Sequence, residues 1–360
     1  MTSMAAFRSF CVAATLSVAA GAAQAAVPAQ LGSNLANGQI RPAFNHLAQQ
    51  AIKMRGALDA YCAAPGKARA EQVDTGWKEL VEAWGFVEFL RFGPLVEANR
   101  FERMAFWPDT RGVMPRQVQA LLKEANPALL AEGALASRSV AVQGLPALEY
   151  VLYGEPELLK QTDAKAAGYA CGYAKAVAGN VSTLSAELKQ AWSDEGEFGR
   201  QFTRPAPAND LYRSQQEVAA EAMKAISTGL QFARDIKLMP VLGDSAQAAR
   251  PKRAIFWRSG QSFNSLVSNL RGIRAFYQQG QFAFGAGSQG LDASLRSELD
   301  TAIRLTAEQP ADTEAAVTQE ATRADLMLAV MVLKNLKDVV DQNIAPALGV
   351  TIGFNALDGD

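Results

Sequence analysis

Apolar residues in this chain recur at steps of three and four along most of its length. Phe44, Leu47, Ala51, Met54, Leu58 and Tyr61 form one such series; Val73, Trp77, Leu80, Trp84 and Val87 form another. That spacing puts each series on one face of a helix. Pro65-Gly66 and Gly93-Pro94 close the two stretches. Further periodic stretches cover about 115–124, 163–192, 210–236, 253–279, 291–308 and 313–342. The positions between are filled with Ala, Leu, Glu, Lys and Gln, all good helix formers. No period-two run of β-branched residues competes with this pattern, so the expected class is all-α. No short solenoid-type repeat appears. With 49% hydrophobic and 20% charged residues among 360, these helices have a sizeable core to bury.

The most polar and Pro-rich break is Ser193 to Asp210. It divides the chain into a segment 1–25, an N-terminal helical bundle 26–195, a linker 196–210 and a C-terminal helical bundle 211–360. Each bundle has about four helices, and the expected architecture is two packed bundles with a site at their interface.

Residues 1–25 read as a secretory signal peptide. Arg8 carries the only charge, Phe10 to Ala20 is apolar, and Ala23-Gln24-Ala25 is a small-x-small cleavage site. The apolar run is too short to span a bilayer. The best later run, Leu326 to Leu333, ends at Lys334. The product is therefore expected to be soluble, not membrane-spanning, and exported to a bacterial periplasm or cell envelope. Two cysteines remain, Cys62 and Cys171. In an oxidising compartment such a pair is a disulfide candidate, the alternative being two buried thiols. Closing a loop of about 110 residues would stabilise the fold by roughly 4–5 kcal/mol.

Several function classes fall away. With 35 Lys+Arg against 36 Asp+Glu and a net charge of -1, there is no electrostatic footprint for nucleic acid. The single histidine, His46, excludes sites built on two or three histidines and is expected at the surface or in a cap. Three cysteines are too few for a four-cysteine zinc site or an iron–sulfur cluster. Neither a Walker-type phosphate loop nor a Gly-x-Ser-x-Gly elbow occurs. Gly285 to Gly290 is glycine-rich but follows no strand, and reads as a flexible loop between helices.

Four non-helical breaks combine residues with chemistry. Glu88 and Arg91 precede Phe92-Gly93-Pro94. The loop Phe106 to Gly112 joins aromatics to Asp109 and Arg111; a structural alternative has these two pair with each other or cap helices. Gly144 to Tyr150 looks like a helix start with Pro146 in the first turn. Glu149 lies one turn in, where a carboxylate gains from the helix N-terminus. Arg253 to Phe263 mixes aromatic, basic and hydroxyl residues, and Asn264, Ser265 and Asn269 continue a polar strip that needs partners from the other bundle or a ligand. The apolar tail Gly349 to Asp360 is expected to dock onto the body.

These segments together resemble the imelysin-like family, which is also classed with metallopeptidases. The matches are Glu88–Pro94, the Phe106–Arg111 loop, Gly144–Gly154, a helix over Arg258–Tyr277, and the end of the chain from Gly353. The resemblance implies an all-helical fold of two bundles with a site between them, export, and an association with iron uptake. The family signature Gly-x-His-x-x-Glu is met only at Gly144 and Glu149. Pro146 stands at the histidine position, as in one branch of the family; it keeps the helix start and supplies no ligand nitrogen. Oxygen-only donors suit hard cations better than zinc. The resulting candidate site is Glu149, Asp109, Arg111, Arg258, Glu88, Arg91 and Ser262. Glu149 is its one metal-ligand candidate, and iron or another divalent cation is the candidate cofactor. Acids mixed with arginines suit a small polar or chelated ligand better than a bare cation. Three readings follow. The first is a non-enzymatic envelope binding protein tied to iron acquisition, taking a small ligand, a metal chelate or a protein partner. The second is a metal-dependent peptidase using Glu149. The third is an envelope docking or assembly protein whose cleft is a salt-bridge cluster between bundles.

Overall fold

The computed structural model describes residues 26–285 and 288–353. The signal-peptide reading of 1–25, the centre of the glycine-rich loop and the tail from 354 onward lie outside the described residues. The described chain is all-α; its only β pairing is an isolated bridge between Ala26 and Ala283. The longer helices are α1 (Arg41–Ala63), α2 (Lys67–Val87), α3 (Val113–Glu124), α4 (Leu145–Tyr153), α5 (Ala164–Ala191), α6 (Gln215–Gln231), α7 (Ser262–Gly280), α8 (Gln289–Ala307) and α9 (Glu320–Val339).

The apolar stripes read from the sequence are the buried ones. Phe44, Leu47, Met54, Leu58 and Tyr61 of α1 and Val73, Trp77, Leu80, Trp84 and Val87 of α2 are all fully buried. In the first half α1 packs between α2 and α5; in the second, α8 packs between α7 and α9, with α6 beyond α9. The disulfide expected between Cys62 and Cys171 is formed, with the Cα atoms 5.7 Å apart. It ties the end of α1 to α5 across 109 residues. One apolar core runs through both halves.

The halves meet where α2 packs on α7. Gly272 of α7 makes this approach possible, because a Cβ there would lie 2.1 Å from the Phe86 carbonyl oxygen. A charged pair is buried in the same seam. Lys237, with 4% of its side chain exposed, donates to Glu88, with 2% exposed. It also donates to Ser265 Oγ at 3.2 Å. Lys237 comes from Phe232–Leu238, a π-helical continuation of α6.

Within the stretch 196–210 lies a helix, Glu197–Thr203. Phe198 and Phe202 turn it inward, with ring centroids 5.0 and 5.1 Å from that of Trp192. The helical stretch 253–279 begins only at Ser262. Before it the chain makes a turn in which Phe256 adopts a left-handed φ of 58°. That ring packs edge-on against Trp77 at 5.4 Å, a tertiary contact that outweighs local helix preference. Of the tail, Val350 is buried and Ile352 packs against the core, while Thr351 and Gly353 are exposed; just before it, Gln216 donates to the Leu348 carbonyl.

Removing one partner of a buried ion pair leaves an uncompensated charge. Lys237→Ala should lose about 3–5 kcal/mol of unfolding free energy in guanidinium melts. The double variant Glu88→Leu/Lys237→Met should recover most of that loss. An unchanged single variant would show that the pair does not hold the seam.

Candidate functional site

A cavity of about 520 Å³ opens between the loop at 106–112 and the turn at 252–258. Glu149 and Pro146 of α4 form its inner wall, and Ile236 and Pro240 close the side nearest the π-helical segment. Segments from both halves of the chain thus contribute to one space.

Gly144 starts the wall. Its φ is 89°, and a Cβ there would meet the Arg103 carbonyl oxygen at 2.3 Å, so this bend needs glycine. Pro146 follows in the first turn of α4, as expected. Glu149 then points across the cavity wall and does not cap its own helix. It is 2% exposed. Its Oε1 accepts from the Ser259 amide at 2.9 Å and from Ser259 Oγ at 2.8 Å. Burial pushes the carboxyl above the usual carboxylate range. The Ser259 bonds, the nearby Arg258 charge and the Arg258 amide pull it back only in part.

Asp109 lines the cavity and caps a helix at once. Its two carboxylate oxygens accept from the amides of Val113 and Met114, at 2.8 Å each. This is the capping alternative, realised at the start of α3. Trp107 Nε1 donates to the Arg253 carbonyl at 3.1 Å and bridges the two sides of the mouth. Arg258 lies over two rings, Trp257 at 4.5 Å and Tyr150 at 5.0 Å. Lys252 lies over Trp257 at 5.4 Å.

The seven candidate residues therefore do not converge. Glu149, Asp109 and Arg258 line one cavity. Arg111 is exposed, outside that lining, and its carbonyl accepts from Arg116. Glu88 is spent on Lys237 in the seam. The Arg91 guanidinium lies against both Phe101 and Phe232, 4.1 and 4.4 Å from their centroids. Ser262 contacts Thr313 Oγ1 at 3.2 Å and lines a separate small cavity beside Lys237. The packing of α2 on α7 and the helix start at Ser262 draw Glu88, Arg91 and Ser262 away from the cavity, and Arg111 stays at the surface of its loop. Sequence reasoning missed Ser259, Lys252, Arg253 and Trp257 as site residues. Gly260 was the available signal: with φ of 69° it breaks the stretch that was read as helix.

The donors do not fit a bare metal ion. Pro146 brings no ligand atom, Glu149 Oε1 already accepts two bonds, and both Asp109 oxygens hold amides. Among the described residues no three His, Cys, Asp or Glu side chains are grouped so as to hold a metal. His46 is exposed on α1.

A carboxyl whose folded pKa is raised stabilises the fold below its unfolded pKa and loses that contribution as pH rises through the folded value. From about pH 4 upward, wild type should lose stability relative to Glu149→Gln, and the difference should level off above the raised pKa. Thermal melts of both proteins across that range give the difference directly. Parallel curves would contradict the assignment.

No helix among the described residues is long and apolar enough to cross a membrane. No curated relative matches the chain. An imelysin-like protein from Psychrobacter arcticum 273-4 shares the fold with a TM-score of 0.72 at 18% identity, over 92% of this chain and 99% of that one. A structure designated an iron-regulated protein A precursor, from Parabacteroides distasonis ATCC 8503, has a TM-score of 0.68 at 13% identity, over 87% and 93% of the two chains. At such identities the likeness establishes the fold. The family model described as Imelysin, of peptidase class M75, matches residues 40–340, and the chain belongs to the imelysin family.

Proposed function

We propose that this chain is an exported binding protein of the bacterial envelope, associated with iron acquisition, that takes a small ligand in the cavity beneath Glu149. One observation carries the reading: a cavity of about 520 Å³ is walled by both halves of the chain and has a buried, hydrogen-bonded carboxylate at its inner end. Such concave spaces with a few fixed polar groups are where small ligands bind. The export signal read at 1–25 and the designation of one structural neighbour as an iron-regulated precursor support the setting.

The site supports binding better than catalysis. Its two carboxylates are satisfied by the protein itself, which leaves no donor set to activate water on a metal. A metal would enter more readily as a chelate that brings its own donors. The two-bundle division at residues 196–210 fits this role, with the cavity at the junction of the halves.

Protein taken from the periplasm under non-denaturing conditions provides the test, by native mass spectrometry with elemental analysis. Wild type should carry a small-molecule adduct, and Thr110→Trp, which narrows the mouth, should carry much less. Bare polypeptide mass in wild type from both iron-replete and iron-starved cells would overturn the reading.

A further inference from the structure

The charges around the cavity are divided unequally. Its acids are turned inward: Asp109 is committed to the amides that start α3, and Glu149 to Ser259. Its bases are turned toward the space. Lys252, Arg253 and Arg258 all line it. Lys252 and Arg253 are exposed, and Arg258 is half-buried. Among the described residues, none of the three side chains is engaged in a salt bridge; the interior ion pair is Glu88–Lys237, in the seam. The Arg258 and Lys252 head groups rest on aromatic rings instead, and both contact Trp257. Cation–π contacts hold such groups in place without neutralising them and leave their N–H donors free. An anion bound beside Trp257 would find the Arg258 guanidinium fork and the Lys252 ammonium, which lie 4.5 and 5.4 Å from the same ring centroid. The remaining lining is largely apolar and includes the rings of Phe106, Trp107, Pro108 and Pro115.

From this arrangement the geometry points to an organic anion with a planar, apolar part as the occupant, held by Arg258 and Lys252 beside Trp257. The inference rests on the binding reading above and names the ligand class for that cavity. The same chemistry is offered by a free aromatic acid and by the anionic donor shell of an iron chelate.

Calorimetry at neutral pH on the full mature chain separates the possibilities, using three probes with one ring system and different charge: 2-naphthoate, 2-naphthylmethanol and 2-naphthylmethylammonium. Naphthoate should bind about tenfold or more tighter than the other two. Raising sodium chloride to about 0.5 M should weaken it. Arg258→Gln and Lys252→Gln, checked for unchanged circular dichroism, should each weaken it about five- to tenfold. Salicylate alone against ferric salicylate then distinguishes the two sources: tighter binding of the complex assigns a chelate, and tighter binding of salicylate assigns the free acid. Alcohol or ammonium probes binding as tightly as naphthoate would overturn the anion assignment while leaving the cavity as a binding site. Unchanged naphthoate affinity in both variants would overturn the placement. If no probe binds, the assignment fails, and the adduct comparison with Thr110→Trp still decides whether the cavity binds anything.

Discussion

A carboxylate cannot be buried without partners, and Glu149 finds its partners 110 residues away. The Ser259 amide and hydroxyl both reach Oε1, which pins the turn before α7 to the wall formed by α4. Much of the local architecture depends on that contact. The turn must leave helical geometry, so Phe256 takes a left-handed φ and α7 starts at Ser262. Phe256 then reaches Trp77 in the first half, while Trp257 and Arg258 are left at the cavity rim. One buried carboxylate thus joins the halves, closes the inner end of the cavity and presents a cation to it.

The fold uses two kinds of buried charge for two purposes. In the seam, Glu88 and Lys237 neutralise each other with Ser265 beside them, and nothing about the pair faces a ligand space of useful size. Burial pushes the Glu88 carboxyl upward, although Lys237 and Arg91 both draw it down. Such a pair specifies how α2 meets α7 at some energetic expense. Around the cavity the acids instead accept from backbone amides and a hydroxyl, and none of the three bases forms a salt bridge with them, although the Arg258 charge reaches Glu149. The difference lies in the partner. A lysine partner cancels charge; amide donors stabilise a carboxylate and leave neighbouring cations free to act.

The helices were legible because their stripes are local. Phe44 to Tyr61 and Val73 to Val87 repeat with helical period, and those residues are the buried ones. Gly144 and Pro146 marked the start of α4 for the same reason: the constraint lies within a few residues. Cys62 and Cys171 were legible as a pair because Cys11 falls in the segment that reads as a signal peptide. Harder to read were features decided across the fold. Ser259 and Ser262 look alike in sequence, and only the position of the helix start makes one a partner of Glu149 and the other a partner of Thr313. Lys237 follows Arg234-Asp235, and nothing in that stretch points to its partner Glu88, 149 residues away. Phe198 and Phe202 lie in a stretch polar and Pro-rich enough to read as a linker, and only the cluster around Trp192 shows why they fold inward.

The account stands most directly on whether Glu149 holds the turn that frames the cavity. Hydrogen exchange read by mass spectrometry on wild type and Glu149→Ala measures this segment by segment, with α1 and α5 as internal controls. The account predicts that residues 253–261 lose protection in the variant while α1 and α5 keep theirs, since local opening then needs no break of the Ser259 bonds. Equal protection of 253–261 in both proteins would contradict it.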